Sequence, residues 1–208
     1  MKTFTLAALA AATTALTGTA ALADAHATTT LRIQTHYAPE TESGRLAAAF
    51  VDNVQTMSNG EIAIEMFYSA SVVKPTETFD AAASGILDCD MTGGAYQTGK
   101  NPAFQFVGDI MGGYATPYQQ LSWLYYGGGL EAAQELYNAY DMQLVGWWIY
   151  GQESFASTKP IAQISDLQNW KFRSPPGMET KIFEKLGATP IVMDFTEIFT
   201  ALETGIID

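Results

Sequence analysis

The sequence predicts an α/β protein of two lobes, each built on a parallel or mixed sheet, with a ligand cleft between them. Three observations carry this. Apolar stretches of period two alternate with stretches of period 3.6, and strands alternating with helices imply parallel sheets covered on both faces. A thirteen-residue pattern occurs twice, TETFDAAASGILD at 76–88 and TEIFTALETGIID at 196–208. Each copy follows a strand, and each of those strands follows a helix.

The elements can be justified in order. TTLRIQTH opens the fold as a strand and ends at His36-Tyr37. GRLAAAFVDNVQTMSNG at 44–60 is helical and stops at Gly60, the residue type that most easily takes a left-handed cap. EIAIEMFYSA at 61–70 alternates as a strand, the first copy of the pattern forms a helix, and LDCDMTGG at 87–94 is the next strand. Between 107 and 130 glycine and aromatic residues give few clear boundaries, and the glycines of YYGGGLE read as a hinge or turn. LEAAQELYNAY at 130–140 reads as a helix and MQLVGWWIYG at 142–151 as a strand, with SFASTKPI opening the crossing into the second half. A short strand at 170–173, a helix at 177–188 ending at Gly187 and a strand at 188–195 then repeat the earlier order. Within the pattern, Phe79, Ala82 and Ile86 fall on one helical face by spacing, as do Phe199, Leu202 and Ile206. Gly85 and Gly205 end the helices.

Composition narrows the function. Hydrophobic residues make up 48% of the chain and charged residues 15%, which is globular rather than disordered. A net charge of −12 with ten basic residues argues against the basic face that a nucleic-acid binder needs. Residues 1–23 read as a secretory signal: Lys2, an apolar stretch from Phe4 to Leu16, and an A-x-A site at Ala21-Leu22-Ala23, with a second at Ala25-His26-Ala27. Cys89 is the one cysteine, so no intramolecular disulfide forms, and its apolar setting reads as a buried structural thiol. Enzyme motifs are not met. GQESF at 151–155 has its serine one place late for a nucleophile elbow, His36 is the one serious acid–base histidine, and YYGGGLE lacks the lysine of a phosphate cradle.

The runs FVDNVQTMSNGEIAIEMFYSASVVKPTETFDAAASGILDCD, YYGGGLEAAQELYNAYDM and KFRSPPGMETKIFEKLGATPIVMDFTEIFTALETGIID resemble the periplasmic solute-binding subunit of TRAP transporters (tripartite ATP-independent periplasmic carriers). GKNPAFQF and the triple glycine after Tyr126 look closest to the subgroup that binds 2-oxo and hydroxy acids. The resemblance implies a periplasmic-binding-protein-like fold, with a first lobe over 24–151 and the start of a second over 152–208. It implies capture of a small organic acid, delivery to integral-membrane TRAP subunits, uptake driven by an ion gradient, and no catalysis. A homodimer is left open. Family members typically continue past G-I-x-D, so the second lobe is expected to be incomplete. The rival readings are an ABC-type solute-binding protein and a secreted α/β hydrolase.

A small carboxylate is best gripped by a planar, permanently charged fork of donors, which is arginine. Of the three arginines, Arg32 lies in the first strand and Arg45 in the first helix, as surface or ion-pair residues. Arg173 stands at a strand's carboxyl end, before a helix N-terminus, and matches the family's carboxylate-gripping arginine. Gln152 follows a strand end and matches a glutamine that in the oxo-acid subgroup contacts ligand and a bound cation, sodium or calcium. Oxygen ligands suit such hard ions. Tyr96, in GGAYQTGKNP, is placed to donate its phenol to a ligand oxygen, and His36 and Tyr37 are expected to line the same cleft.

Overall fold

The computed structural model describes residues 29–108, 110–151 and 153–208. The expected signal segment lies outside them. Among the described residues no helix is long and apolar enough to cross a membrane.

The first half is a three-stranded, fully parallel sheet. It comprises β1 (Thr29–Thr35), β2 (Ile62–Tyr68) and β3 (Cys89–Met91), in the order β2-β1-β3. The central strand β1 becomes progressively buried toward its carboxyl end, so that Ile33, Gln34 and Thr35 are enclosed. Helix α1 (Glu42–Met57) crosses from β1 to β2, and its entry is fixed by Thr41, whose hydroxyl accepts from Gly44 N at 3.0 Å. At the far end of β1, the buried Gln34 amide binds the loop after β2. Its Oε1 accepts from Val72 N at 3.1 Å and Val73 N at 3.2 Å, and its Nε2 donates to Val73 O at 2.7 Å. This loop feeds a 3-10 turn at Pro75–Glu77 and helix α2 (Thr78–Ala83), the first copy of the repeated pattern.

Helices α3 (Pro117–Tyr126) and α4 (Gly129–Asn138) follow, joined through Gly127 and Gly128, the latter at φ +88°, so the glycine run is the turn the sequence implied. Residues 142–151 do not form the expected strand. The segment takes no regular secondary structure and pairs with no strand among the described residues. Its anchors are side chains instead: Trp147 Nε1 donates to Val107 O at 3.0 Å, and Trp148 stacks on Tyr37 at 5.5 Å. Apolar alternation does not by itself secure a ladder partner, and here the two tryptophans are held by packing and a side-chain hydrogen bond instead.

The second half has a two-stranded parallel sheet, β4 (Lys171–Ser174) with β5 (Thr189–Val192), connected by α5 (Met178–Lys185). Its core is Leu167, Trp170, Phe172, Phe183 and Ala188, with Trp170 and Phe172 stacked at 4.5 Å. A 3-10 turn at Phe195–Glu197 leads into α6 (Ile198–Glu203), the second copy.

The repeated G-I-x-D is a clasp. In the first copy the Asp88 carboxylate accepts from Arg32 N at 2.8 Å, Asp88 N donates to Arg32 O at 2.8 Å, and Arg32 Nη2 donates to Gly85 O at 2.9 Å. In the second, the Asp208 carboxylate accepts from Lys171 N at 3.2 Å, Asp208 N donates to Lys171 O at 2.6 Å, and Lys171 Nζ donates to Gly205 O at 2.8 Å. Each copy thereby locks the end of its helix to the first strand of its own sheet. The glycines take φ +80° and +72°, the left-handed turn that lets the chain double back. The helical face expected from spacing is not observed. Both helices stop before Ile86 and Ile206, which are about half exposed, and the buried apolar positions are Leu87 and Ile207 one residue later. A seven-residue spacing has no meaning once the helix ends after six residues.

Arg32 and Arg45 are ion-paired, to Asp88 and Glu42 respectively, as expected of surface arginines. Cys89 is part-exposed rather than fully buried, and burial together with the flanking Asp88 and Asp90 pushes its thiol up, away from nucleophilic use.

Candidate functional site

Arg173 occupies the carboxyl end of β4 and reaches the junction between the two halves. Its guanidinium is held on two sides. Nε donates to Met193 O at 3.2 Å, from the end of β5, and Nη2 donates to the Tyr96 hydroxyl at 3.0 Å, from the first half. The Phe195 ring lies beneath it, 5.7 Å from Cζ, within range of a cation–π attraction. No carboxylate of the described residues forms an ion pair with it. Of the five N–H groups of a guanidinium, two are thus engaged by protein acceptors. The other three remain for a planar acceptor, and the fork is already oriented.

Tyr96 belongs to a 3-10 turn, Gly94–Gln97, that follows β3. His36 and Tyr37 follow β1. The sheet order places β3 beside β1, so these three residues emerge together at the carboxyl edge, where open α/β sheets hold ligands. The ring centroids of His36 and Tyr37 are 3.9 Å apart, and those of His36 and Tyr96 are 5.5 Å apart. Tyr37 also meets Phe195 of the second half at 6.4 Å. The structure therefore brings Arg173, Tyr96, His36 and Tyr37 into one cluster, with Trp148, Tyr150 and Phe195 closing its aromatic wall. Gln152 lies outside the described residues.

Burial lowers the pKa of His36 to about 4, helped by the positive Arg173 and opposed by the Met91 backbone. His36 is thus a neutral imidazole at neutral pH, and its Nδ1 is enclosed with no hydrogen-bond partner. A neutral, enclosed histidine is poorly suited to acid–base turnover near pH 7. Two carboxylates stand further out in the field of Arg173. Burial and then Glu153 raise the Glu179 pKa, and burial and then Glu197 raise that of Asp194, while Arg173 pulls both down. Among the described residues no group of three or more His, Cys, Asp or Glu is arranged to hold a metal.

Beside Arg173, at the junction, is a small hollow of about 20 Å³, lined by Ala95, Gln105, Met111, Pro175, Pro176 and Glu179. Arg173 itself is not in its lining; its Nη2 is bonded to the Tyr96 phenol. Two contributors escaped the sequence reading. Phe195 stands just ahead of the second copy of the pattern, where the first copy has Pro75, so the repeat itself carries no signal for it. Gln105 was the other. An amide between Phe104 and Phe106 was a signal, since a polar side chain within an aromatic run is buried only where it has a partner.

Residues 34–208 match the bacterial extracellular solute-binding proteins of family 7. The chain belongs to this family. A relative in a Nostoc species, described as a monocarboxylate 2-oxoacid-binding periplasmic protein, is 31% identical over 172 residues, covering 78% of this chain and 44% of that protein. The crystal structure of a TRAP periplasmic solute-binding protein from Rhodobacter sphaeroides, apo and open, has 34% identity and a TM-score of 0.60 over 86% of this chain and 57% of that one. Another from Pseudoalteromonas atlantica, with bound sodium and pyruvate, has 27% identity and a TM-score of 0.70 over 87% of this chain and 55% of that one. The chain thus spans about half the length of the family 7 proteins it matches. The family and the two-sheet parallel architecture agree with the expectation from sequence.

Proposed function

We propose that this family 7 protein is the extracytoplasmic receptor of a TRAP transporter, capturing a small monocarboxylate of the 2-oxo or 2-hydroxy class. The observation that carries the reading is the Arg173 guanidinium, fixed by Met193 O and Tyr96 and free of any described carboxylate. A planar carboxylate accepts two parallel bonds from such a fork. Tyr96 shares the same oxygens, and His36 and Tyr37 with the aromatic wall enclose the organic remainder. Residues 24–151 and 152–208 act as lobes that close on the ligand, the closed form being favoured because it binds more tightly. Gln152 and the ligand's own oxygens supply hard donors to a sodium or calcium ion at this site. The Nostoc relative's description and the sodium and pyruvate of the Pseudoalteromonas structure support this choice of ligand class and ion. The loaded receptor docks with integral-membrane subunits from the periplasm and makes or breaks no bond.

Calorimetric titration of pyruvate and lactate into the whole chain tests the reading. Wild type binds one of them, and Arg173→Ala loses on the order of 2–5 kcal/mol through the unpaired carboxylate. Equal affinity in the two proteins, or no binding of either acid by wild type, would overturn it.

A further inference from the structure

Helix α5 begins directly after the turn that follows Arg173 and Ser174, yet it has no side-chain cap of its own. Gly177, at its N-cap position, has no side chain, and Pro175 and Pro176 have no N–H. The first N–H groups of a helix need acceptors from elsewhere. One acceptor comes from the opposite half: Gln105 Oε1 receives Met178 N at 2.7 Å. The fit leaves no slack. Gly177 stands at φ +116°, and a Cβ there would lie 2.2 Å from Gln105 Oε1. Gln105 is in turn rigidly held. It is buried in a 3-10 turn, Pro102–Phe106, whose start is capped by Asn101 Oδ1 accepting from Ala103 N at 2.9 Å. The neighbouring Phe104 is fully buried against Phe79, Tyr137 and Tyr140.

We infer that Gln105 is a positioning residue for Arg173: by capping α5 from across the junction it fixes the Ser174–Gly177 turn and hence the placement of the guanidinium. This rests on Arg173 being the carboxylate grip. The turn is braced from its own side by the Ser174 and Thr180 hydroxyls, 2.9 Å apart, and by Thr180 Oγ1 donating to Pro175 O at 2.8 Å. Gln105 is the brace from the other side. The Arg173–Tyr96 bond also crosses the junction, but it uses an N–H of the group that meets the ligand. The Gln105–Met178 bond uses none, so it holds the alignment without drawing on the N–H groups that meet the ligand.

The test is calorimetric titration of pyruvate into whole-chain wild type, Gln105→Ala, Gln105→Glu, Gly177→Ala and Arg173→Ala, each checked for folding by circular dichroism. Gln105→Ala raises the Kd about three- to ten-fold, the worth of one such hydrogen bond. Gln105→Glu keeps an acceptor oxygen and stays within about two-fold of wild type. Gly177→Ala, whose methyl displaces Gln105, weakens binding as Gln105→Ala does. A wild-type Kd in Gln105→Ala or Gly177→Ala, with binding lost in Arg173→Ala, overturns the inference and leaves the site standing. So does a Gln105→Glu protein as weak as Gln105→Ala. Arg173→Ala binding as wild type does overturns the site itself. Should Gln105→Ala not fold, the Gln105→Glu and Gly177→Ala proteins decide the matter.

Discussion

The two copies of the repeated pattern have almost the same backbone and very different surroundings. Both helices are six residues long, both end on a residue at φ −89° and ψ −4°, and both close with the same glycine and aspartate clasp. Yet Phe79 is 1% exposed and its counterpart Phe199 is 82% exposed. Phe79 is enclosed by Phe104, Tyr137 and Tyr140, with Lys100 over its ring, and all of these lie after the motif in the chain. The conformation of the motif is therefore local. Its burial is supplied by other elements, and among the described residues only the first copy receives it.

The sharpest way to break this comparison is to remove both phenylalanines separately. Phe79→Ala empties a closed aromatic cluster and should cost about 3–5 kcal/mol of stability. Phe199→Ala removes a ring already in solvent and should change stability by less than about 0.5 kcal/mol. Urea melts of the two variants measure the difference. A large loss in Phe199→Ala would mean that this ring is covered in solution and that the asymmetry is not a property of the protein.

A second asymmetry lies two residues beyond the first clasp. Arg32 holds the Asp88 carboxyl below the ordinary range, whereas burial pushes Asp90 up to about 7 against the opposing pull of Thr92. The Oδ1 of Asp90 is enclosed without a hydrogen-bond partner, and the titratable groups it influences, Cys89 and Tyr137, bring no positive charge. For an acid whose folded pKa is raised, the folded state keeps a proton that the unfolded chain has lost. The contribution of Asp90 to stability therefore falls as pH rises from about 4 to about 7 and is level above that, a loss on the order of a few kcal/mol, while His36, with its lowered pKa, acts in the opposite sense between about 4 and about 6.5. Asp88 and Asp208, with lowered pKa values, act in the opposite sense, their support vanishing as pH falls through their folded pKa. Melts between pH 4 and pH 8 should show Asp90→Asn more stable than wild type at the upper end, with the downward contribution of Asp90 gone and the upward one of His36 left. An unchanged slope in Asp90→Asn would show that this carboxyl is solvated.

Much of this was legible in the sequence because it is written in local terms. Strand alternation, glycine stops and the arginine ahead of Pro175-Pro176 each leave a signature within a few residues, and β1, β2, α1, α4 and Arg173 all stand where those signatures put them. The failures share one cause. MQLVGWWIYG has the pattern of a strand but pairs with none of the described strands, and Phe199 has the pattern of a core residue but is 82% exposed among the described residues. Gln105 caps a helix 73 residues away. Contacts set by distant chain are invisible to spacing, and the aromatic wall around Arg173 is made of such contacts.

The smallest expected difference between the two copies is also the one that tests whether the two clasps are equivalent. Gly85 and Gly205 lie at φ +80° and +72°, and a Cβ at either would meet nothing within 4 Å. Crowding is thus absent, and the cost of alanine is that of the left-handed backbone alone, about 1–2 kcal/mol. The carbonyl of each glycine accepts from the long basic side chain of the clasp, Arg32 or Lys171, and neither bond involves the glycine Cα. Gly85→Ala and Gly205→Ala should therefore be destabilised by the same amount in urea melts, although the surrounding halves differ so much in burial. A markedly cheaper Gly205→Ala would mean that the second copy relaxes its turn where the first cannot, and that the shared geometry is imposed by packing rather than by the motif itself.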